Sequence, residues 1–272
     1  MRPKQWVKNG FVLAPLVFAG KFLEGPAISS ELMAALLFSL AASATYVTND
    51  ILDIERDRRH PKKRNKRPLA SGAVSLRQAA YLLMALYLLI VLGGVMMPQV
   101  GIVIAGYLLL NVAYSFYLKH QPVLDIFTIA IGFVLRVYAG ALAIDVPVST
   151  WMFITTLCLA LYLAAIKRRQ ELNQVGTEGR KILAQYSVSL VDRYAEMSAT
   201  GALIFYSLFV MSAKPQLEMS IPLVLFGLFR YWFVTETLAG GESPTDALLS
   251  DRQLLMCVLL WILACGWALW PA

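Results

Sequence analysis

Apolar residues in this chain fall into blocks of roughly 18–22, about the length a helix needs to cross ~30 Å of hydrocarbon. Between the blocks stand stretches rich in charge, proline or glycine. In lipid each backbone N–H and C=O must find a partner within the protein, which excludes open sheet edges and favours helices. Composition agrees, since 58% of the 272 residues are hydrophobic and only 15% charged, against about a quarter in an ordinary soluble domain. Mean hydropathy is +0.63. The expected fold is an all-α membrane protein, a single transmembrane helical domain over residues 1–272.

Nine spans are predicted, at about 9–24, 30–50, 76–97, 99–118, 123–144, 149–166, 194–213, 219–239 and 253–271. Short connectors on one side carry helix-stopping proline or glycine, as at Glu24-Gly25-Pro26, Met97-Pro98-Gln99, Asp145-Val146-Pro147 and Ala213-Lys214-Pro215. The other side has longer charged loops at 54–75, 167–193 and 240–252. Of 24 Lys and Arg residues, only Lys21 and Lys214 lie on the short-connector side, and Arg136 and Arg230 fall inside spans. The remaining 20 mark the long loops and the N-terminus as cytoplasmic and the C-terminus as outside. The basic opening Met1-Arg2-Pro3-Lys4-Gln5-Trp6 lacks a cleavage site followed by a hydrophilic mature part, so it is expected to belong to the fold. Cys158, Cys257 and Cys265 show no metal spacing. The net charge of +7 is read as a topology signal and an attraction to anionic lipid. Nucleic acid is not an expected partner, because no soluble module backs the basic residues.

The most informative segment is Asn49-Asp50-Ile51-Leu52-Asp53-Ile54-Glu55-Arg56-Asp57. On a helix, Asp50, Asp53 and Asp57 stand at i, i+3 and i+7, with Asn49 four residues before Asp53, so all four share one face. Like charges gathered at a membrane boundary are costly unless a cation sits among them. Carboxylates with an amide oxygen suit a hard ion, and Mg²⁺ fits best because it shares its coordination with phosphates and water. The competing reading is a solvated helix end whose acids pair with Arg56, Arg58 and Arg59.

From Arg56 to Arg67, eight of twelve residues are Lys or Arg, closing on Pro68-Leu69-Ala70-Ser71-Gly72. Metal-holding acids beside phosphate-holding cations can polarise a diphosphate leaving group. Part of this positive charge also serves as a topology anchor. Arg136 and Arg230 lie within spans, where charge is costly. Each is expected either at the site or in a structural pair, with Glu236 or helix carbonyls as partners. Asp125 reads as a helix-start acid, Glu171 as a residue orienting a cation, and His60 and His120 as exposed loop residues. Asp246 and Asp251 with Arg252 form either a cap on the site or a loop ion pair.

These residues resemble the UbiA-type intramembrane prenyltransferase superfamily. Asn49-Asp50-x-x-Asp53-x-x-x-Asp57, followed by Asn65-Lys66-Arg67-Pro68-Leu69 and Ser71-Gly72, is similar to its first signature. Tyr114-Ser115-Phe116-Tyr117-Leu118-Lys119 is similar to its next cytoplasmic element. Most members carry a second aspartate-rich motif on a later cytoplasmic loop, whereas here Lys167-Arg168-Arg169-Gln170-Glu171 stands in that place, followed by Arg180-Lys181 and Tyr186-Ser187. That departure, the opening Arg2 to Asn9 and Gly132-Phe133-Val134-Leu135-Arg136 resemble the polyprenyl-phosphate phosphoribosyltransferase branch, which makes decaprenylphosphoryl-5-phosphoribose. More phosphate groups at one mouth call for more cations and fewer carboxylates.

The resemblance implies transfer of 5-phosphoribosyl from phosphoribosyl diphosphate to a polyprenyl phosphate, with Mg²⁺ as cofactor, in a bacterial cytoplasmic membrane. Asn49, Asp50, Asp53 and Asp57 are the expected metal ligands, the three aspartates also acting on the oxocarbenium-like sugar. Lys119, Lys167, Arg168 and Arg180 are expected phosphate contacts together with Arg56 and Arg67. Tyr114 and Tyr186 would support them by hydrogen bonds. Lys8, Asn9 and Arg136 would line the same mouth. A prenyltransferase with an aromatic or similar acceptor is the alternative, and it would be expected to keep the second acidic motif. A transporter would show broken helices at the bilayer midplane in both halves. Homo-oligomerisation is left open.

Overall fold

The computed structural model describes residues 3–59, 67–175, 181–237, 247–248 and 250–270. Every regular element among them is helical. After a 3-10 segment, Pro3–Leu13, come α1 (Ala14–Phe18), α2 (Gly25–Leu52), α3 (Ile54–Arg59), α4 (Leu76–Met96), α5 (Pro98–Phe116) and α6 (Leu124–Ala143). The chain continues through α7 (Thr150–Val175), α8 (Val188–Ala213), α9 (Ile221–Thr237) and α10 (Arg252–Ala268). Further 3-10 turns occupy Leu118–His120, Lys181–Gln185 and Pro215–Ser220.

The starts follow local chemistry. Ser75 and Gln78 form a reciprocal capping box at α4, and Ser187 and Asp251 accept N–H bonds at the heads of α8 and α10. Proline opens α2 and α5, where its missing N–H removes no helical bond.

Seven helical segments are long and apolar enough to cross a membrane, namely α2, α4, α5, α6, most of α7, α8 and the stretch Pro215–Thr237. This is a multi-pass membrane protein. α10, with 17 residues, is a shorter apolar helix. The expected first span, 9–24, is not one continuous α-helix. It runs as 3-10 to Leu13, then as five residues of α-helix. Pro15 supplies no N–H there, and the Leu16 N–H is taken by the buried Glu31 carboxylate at 3.2 Å instead of by the preceding turn. At Gly140 a Cβ would stand 1.9 Å from the Val12 carbonyl, so only glycine allows this segment to lie directly on α6.

Of the apolar cores that result, two are large. One joins Val12 to Phe38 and Ala41 of α2, Leu86 of α4, Ile104 of α5 and Ala139 of α6. The other joins Ile126 of α6 to Tyr162 of α7, Val191 of α8, Tyr231 and Val234 of α9 and Leu254 of α10. Helix α6 therefore contributes to both. Large apolar side chains such as Leu88, Val95, Ile102 and Leu109 remain exposed on α4 and α5, as expected of faces turned to lipid.

Candidate active site at the Asn49–Asp57 turn

Helix α2 ends at Leu52, with Asp53 in the turn before α3. The helical ladder nevertheless continues, because Asp53 N–H bonds to Asn49 O and Asp57 N–H to Asp53 O, both at 2.9 Å. The backbone thus stays helical from Asn49 to Asp57, but the three acids have different environments. Asp57 is only 2% exposed and paired with Arg67, whose Nη1 also lies 3.1 Å from Asp50 Oδ1. Arg67, expected as a phosphate contact, stands between two expected metal ligands. One guanidinium relieves the repulsion of two carboxylates. The Asp53 carboxylate is half-buried, with no ion pair among the described residues.

Asn49 Oδ1 accepts a hydrogen bond from Ser115 Oγ at 2.8 Å, tying α2 to the last turn of α5. Next to Ser115, the Tyr114 side chain reaches Arg168. Arg168 lies toward the C-terminal end of α7 and is 2% exposed. Its guanidinium pairs with Glu171 and approaches Asp125 Oδ2 to 2.5 Å. The latter is an ion contact and not an aligned hydrogen bond. Arg168, expected to meet substrate phosphate, is instead committed to two acids of the protein. Arg169 is likewise taken by Asp192 and Glu236, at 2.6 and 2.7 Å. Lys167 is half-exposed, 4.0 Å from Glu171. Lys119, on the turn after α5, is also partly exposed.

Tyr186, expected to support the phosphate contacts by hydrogen bonds, is instead bonded to an acid and to backbone of the protein. Its Oη donates to Asp125 Oδ1 at 2.6 Å and accepts from the Val123 N–H at 2.7 Å. Burial and the carboxylate acceptor hold its phenol above the usual tyrosine range. Asp125 does occupy the first turn of α6, as expected, but it is completely buried as well. Val123, just ahead of it, has φ 68° and ψ −48°, and Leu124 N–H bonds back to Pro122 O at 2.8 Å. This is a γ-turn of the strained, positive-φ kind. Such a conformation costs about 1–3 kcal/mol and persists only where the surroundings hold it.

Deeper in the bundle, Arg136 is buried and fully engaged. It donates to Asn9 Oδ1 at 2.8 Å, Gly132 O at 2.6 Å and Tyr107 Oη at 3.3 Å, among the rings of Phe38, Tyr107 and Phe133. Asn9 in turn donates to Ser39 at 2.8 Å. Asn9 and Arg136, expected to line the mouth, are instead buried against one another, and the Gly132 bond is the helix-carbonyl partner of the alternative reading of Arg136. Lys8 on the same segment is half-buried. Arg230 pairs with Asp251 at 2.7 Å, a structural partner as one reading had it, although neither Glu236 nor Arg252 is involved. Arg180, Asn65, His60 and Asp246 lie outside the described residues, as does the Arg56 side chain.

Sequence reasoning missed Ser115, Tyr107 and Val123. A γ-turn at a valine has no residue signature, and Ser115 gives no sign that its partner lies 66 positions earlier.

Whether a metal fits is answered by the donor set. Among the described residues no three His, Cys, Asp or Glu side chains converge, so the protein offers no complete cage. Asn49, Asp50 and Asp53 offer oxygen donors only, and one position back the buried Thr48 hydroxyl has no hydrogen-bond partner. Such a set suits a hard cation that completes its coordination with phosphate and water.

Comparison with known proteins places this arrangement in a class. Residues 12–246 match the UbiA prenyltransferase family. The chain is 34% identical to a decaprenyl-phosphate phosphoribosyltransferase of Mycolicibacterium smegmatis, over 99% of this chain and 91% of that protein. A protein of the same name from Corynebacterium glutamicum is also 34% identical, over 96% and 83%. Among solved structures, a UbiA homolog from Archaeoglobus fulgidus bound to GPP and Mg2+ superposes with a TM-score of 0.73 at 18% identity, covering 99% of this chain and 97% of that one. The fold and the full-length similarity define an intramembrane transferase. This chain belongs to the UbiA prenyltransferase family, and its full-length relatives include decaprenyl-phosphate phosphoribosyltransferases.

Proposed function

We propose that the protein transfers 5-phosphoribosyl from phosphoribosyl diphosphate to a polyprenyl phosphate of the decaprenyl type at a bacterial cytoplasmic membrane. The observation carrying this reading is the 34% identity, over nearly the whole chain, to relatives named for that transfer. The site supports it, since its first motif offers oxygen ligands beside Arg67, and Lys167-Arg168-Arg169, in place of a second acidic motif, stands toward the end of α7.

In this reaction the bond from the ribose anomeric carbon to diphosphate oxygen breaks and a bond to the lipid phosphate oxygen forms. That oxygen is already ionised near neutral pH, so no strong general base is needed, and positioning with electrostatics dominates. Mg²⁺, which the Archaeoglobus fulgidus homolog contains, would be held by Asn49, Asp50 and Asp53 and would neutralise charge on the departing diphosphate. Asp57 holds Arg67 at the mouth, where the guanidinium can exchange Asp50 for a phosphate oxygen. Lys119 and Lys167, neither buried by an acid as Arg168 is, supply further phosphate contacts. Arg136 and Asn9 fix the first segment against α6 below the mouth.

The test is to incubate purified protein in detergent with Mg²⁺, labelled phosphoribosyl diphosphate and polyprenyl phosphate. A lipid-linked phosphopentose is the expected product. Product formed only from a prenyl diphosphate and an aromatic acceptor would replace this reading with ordinary prenyl transfer.

A further inference from the structure

We infer that Tyr186, Asp125 and Arg168 form a positioning clamp that holds the strained turn at Val123 and thereby sets Lys119 at the mouth of the site. This rests on the phosphosugar reading above. The turn needs an outside hold for two reasons. A β-branched residue avoids positive φ, and the Val123 side chain is 39% exposed, so its own burial contributes little. The hold is on the backbone. Tyr186 Oη, 63 residues away in sequence, accepts the Val123 N–H at 2.7 Å.

That phenol oxygen can accept well only if its own proton is placed elsewhere, and Asp125 Oδ1 takes the proton's hydrogen bond at 2.6 Å. Asp125 is fully buried, so its charge needs a counter-ion. Arg168 provides it at 2.5 Å, is 2% exposed itself, and is held from the other side by Glu171. The clamp thus joins α7, the head of α6 and the loop before α8. Lys119 lies on the 3-10 turn Leu118–His120, four residues before Val123, and that turn lies against the Lys181–Gln185 turn preceding Tyr186. Release of Val123 would free the connector between α5 and α6, and Lys119 with it. Arg168 and Tyr186 then act through Lys119 and do not touch the substrate.

Tyr186→Phe removes the hydroxyl and keeps the ring. KM for phosphoribosyl diphosphate should rise ~3–10-fold with kcat within ~2-fold, the size of one lost hydrogen bond. A residue that merely fills space would not be rescued by glycine at a distant position. The clamp would be, because glycine takes positive φ unaided, so Tyr186→Phe with Val123→Gly should recover most of the lost KM. An unchanged KM in the single variant, or a double variant no better than the single, would overturn the proposal. Amide hydrogen exchange over residues 118–125 gives a readout without substrate. It should speed up in Tyr186→Phe, and an unchanged rate would sink the clamp. If the wild type forms no product from phosphoribosyl diphosphate, the reading of the reaction fails, while the exchange comparison still decides the clamp.

Discussion

Asp53 is the acid of the first motif that no arginine neutralises among the described residues, whereas Asp50 and Asp57 share Arg67. A half-buried carboxylate left without a counter-ion is best placed to receive a metal from solution. Asp53→Asn is accordingly expected to lower turnover by at least ~100-fold, the scale on which metal and electrostatic contributions operate, with melting temperature unchanged. Near-normal activity would remove the metal assignment. Asp50→Ala should be as damaging to activity, and should leave Arg67 with Asp57 alone. At this scale the sequence was informative about which residue types gather at the mouth and silent about their partners. Asp50 and Asp57 meet through Arg67, with Asp53 outside that contact, and nothing in the i, i+3, i+7 spacing foretells that Arg67 returns to them across the loop. In the same way, Glu171 is legible as the near partner of Lys167 and Arg168, whereas the other acids that hold Arg168 and Arg169, Asp125, Asp192 and Glu236, are scattered over more than 110 positions.

Helix ends and helix contacts are the next level. The spans predicted from 76 and 99 open within a residue of those positions, whereas the one predicted from 194 opens at Val188, where Ser187 accepts the Leu190 N–H. The first segment departs further. Its apolar run has the length of a span, but Pro15 and the contact at Gly140 impose a local 3-10 path that hydropathy does not register. Gly140→Ala should therefore cost about 1–3 kcal/mol, the usual penalty of overpacking, seen as a lower melting temperature in detergent; an unaffected melting temperature would mean the contact is not close. Asp251 supplies a second case. It caps α10 and accepts from Arg230, which holds its pKa below the usual carboxylate range. A depressed folded-state pKa stabilises above the unfolded value and loses that contribution as pH falls through the folded one. Asp251→Asn should consequently be less stable than wild type at neutral pH, with the gap closing on acidification below the ordinary carboxylate pKa. A gap that widens in acid would reverse the assignment.

For the molecule entire, block length alone made the helical membrane class legible, and seven membrane-length segments agree with it. Nine crossings remain a reading of apolar blocks, and the N-terminus inside a reading of charge placement. Labelling with a membrane-impermeant thiol reagent, in a cysteine-free background, should modify a cysteine at Lys214 from outside the cell and leave one at Arg193 untouched until lysis. Reaction at Arg193 in intact cells would invert the orientation. Mutational tolerance should also vary from helix to helix. Since Leu124–Ala143 gives Ile126 to one hydrophobic nucleus and Ala139 to another, all that it leaves exposed is a narrow stripe of Leu124, Phe127, Ile131 and Tyr138. Saturation mutagenesis of that stretch ought to find greasy residues accepted along this stripe alone and, elsewhere, the intolerance of a water-soluble globule's inside, while the outer helices accept almost any greasy residue along a broad bilayer flank.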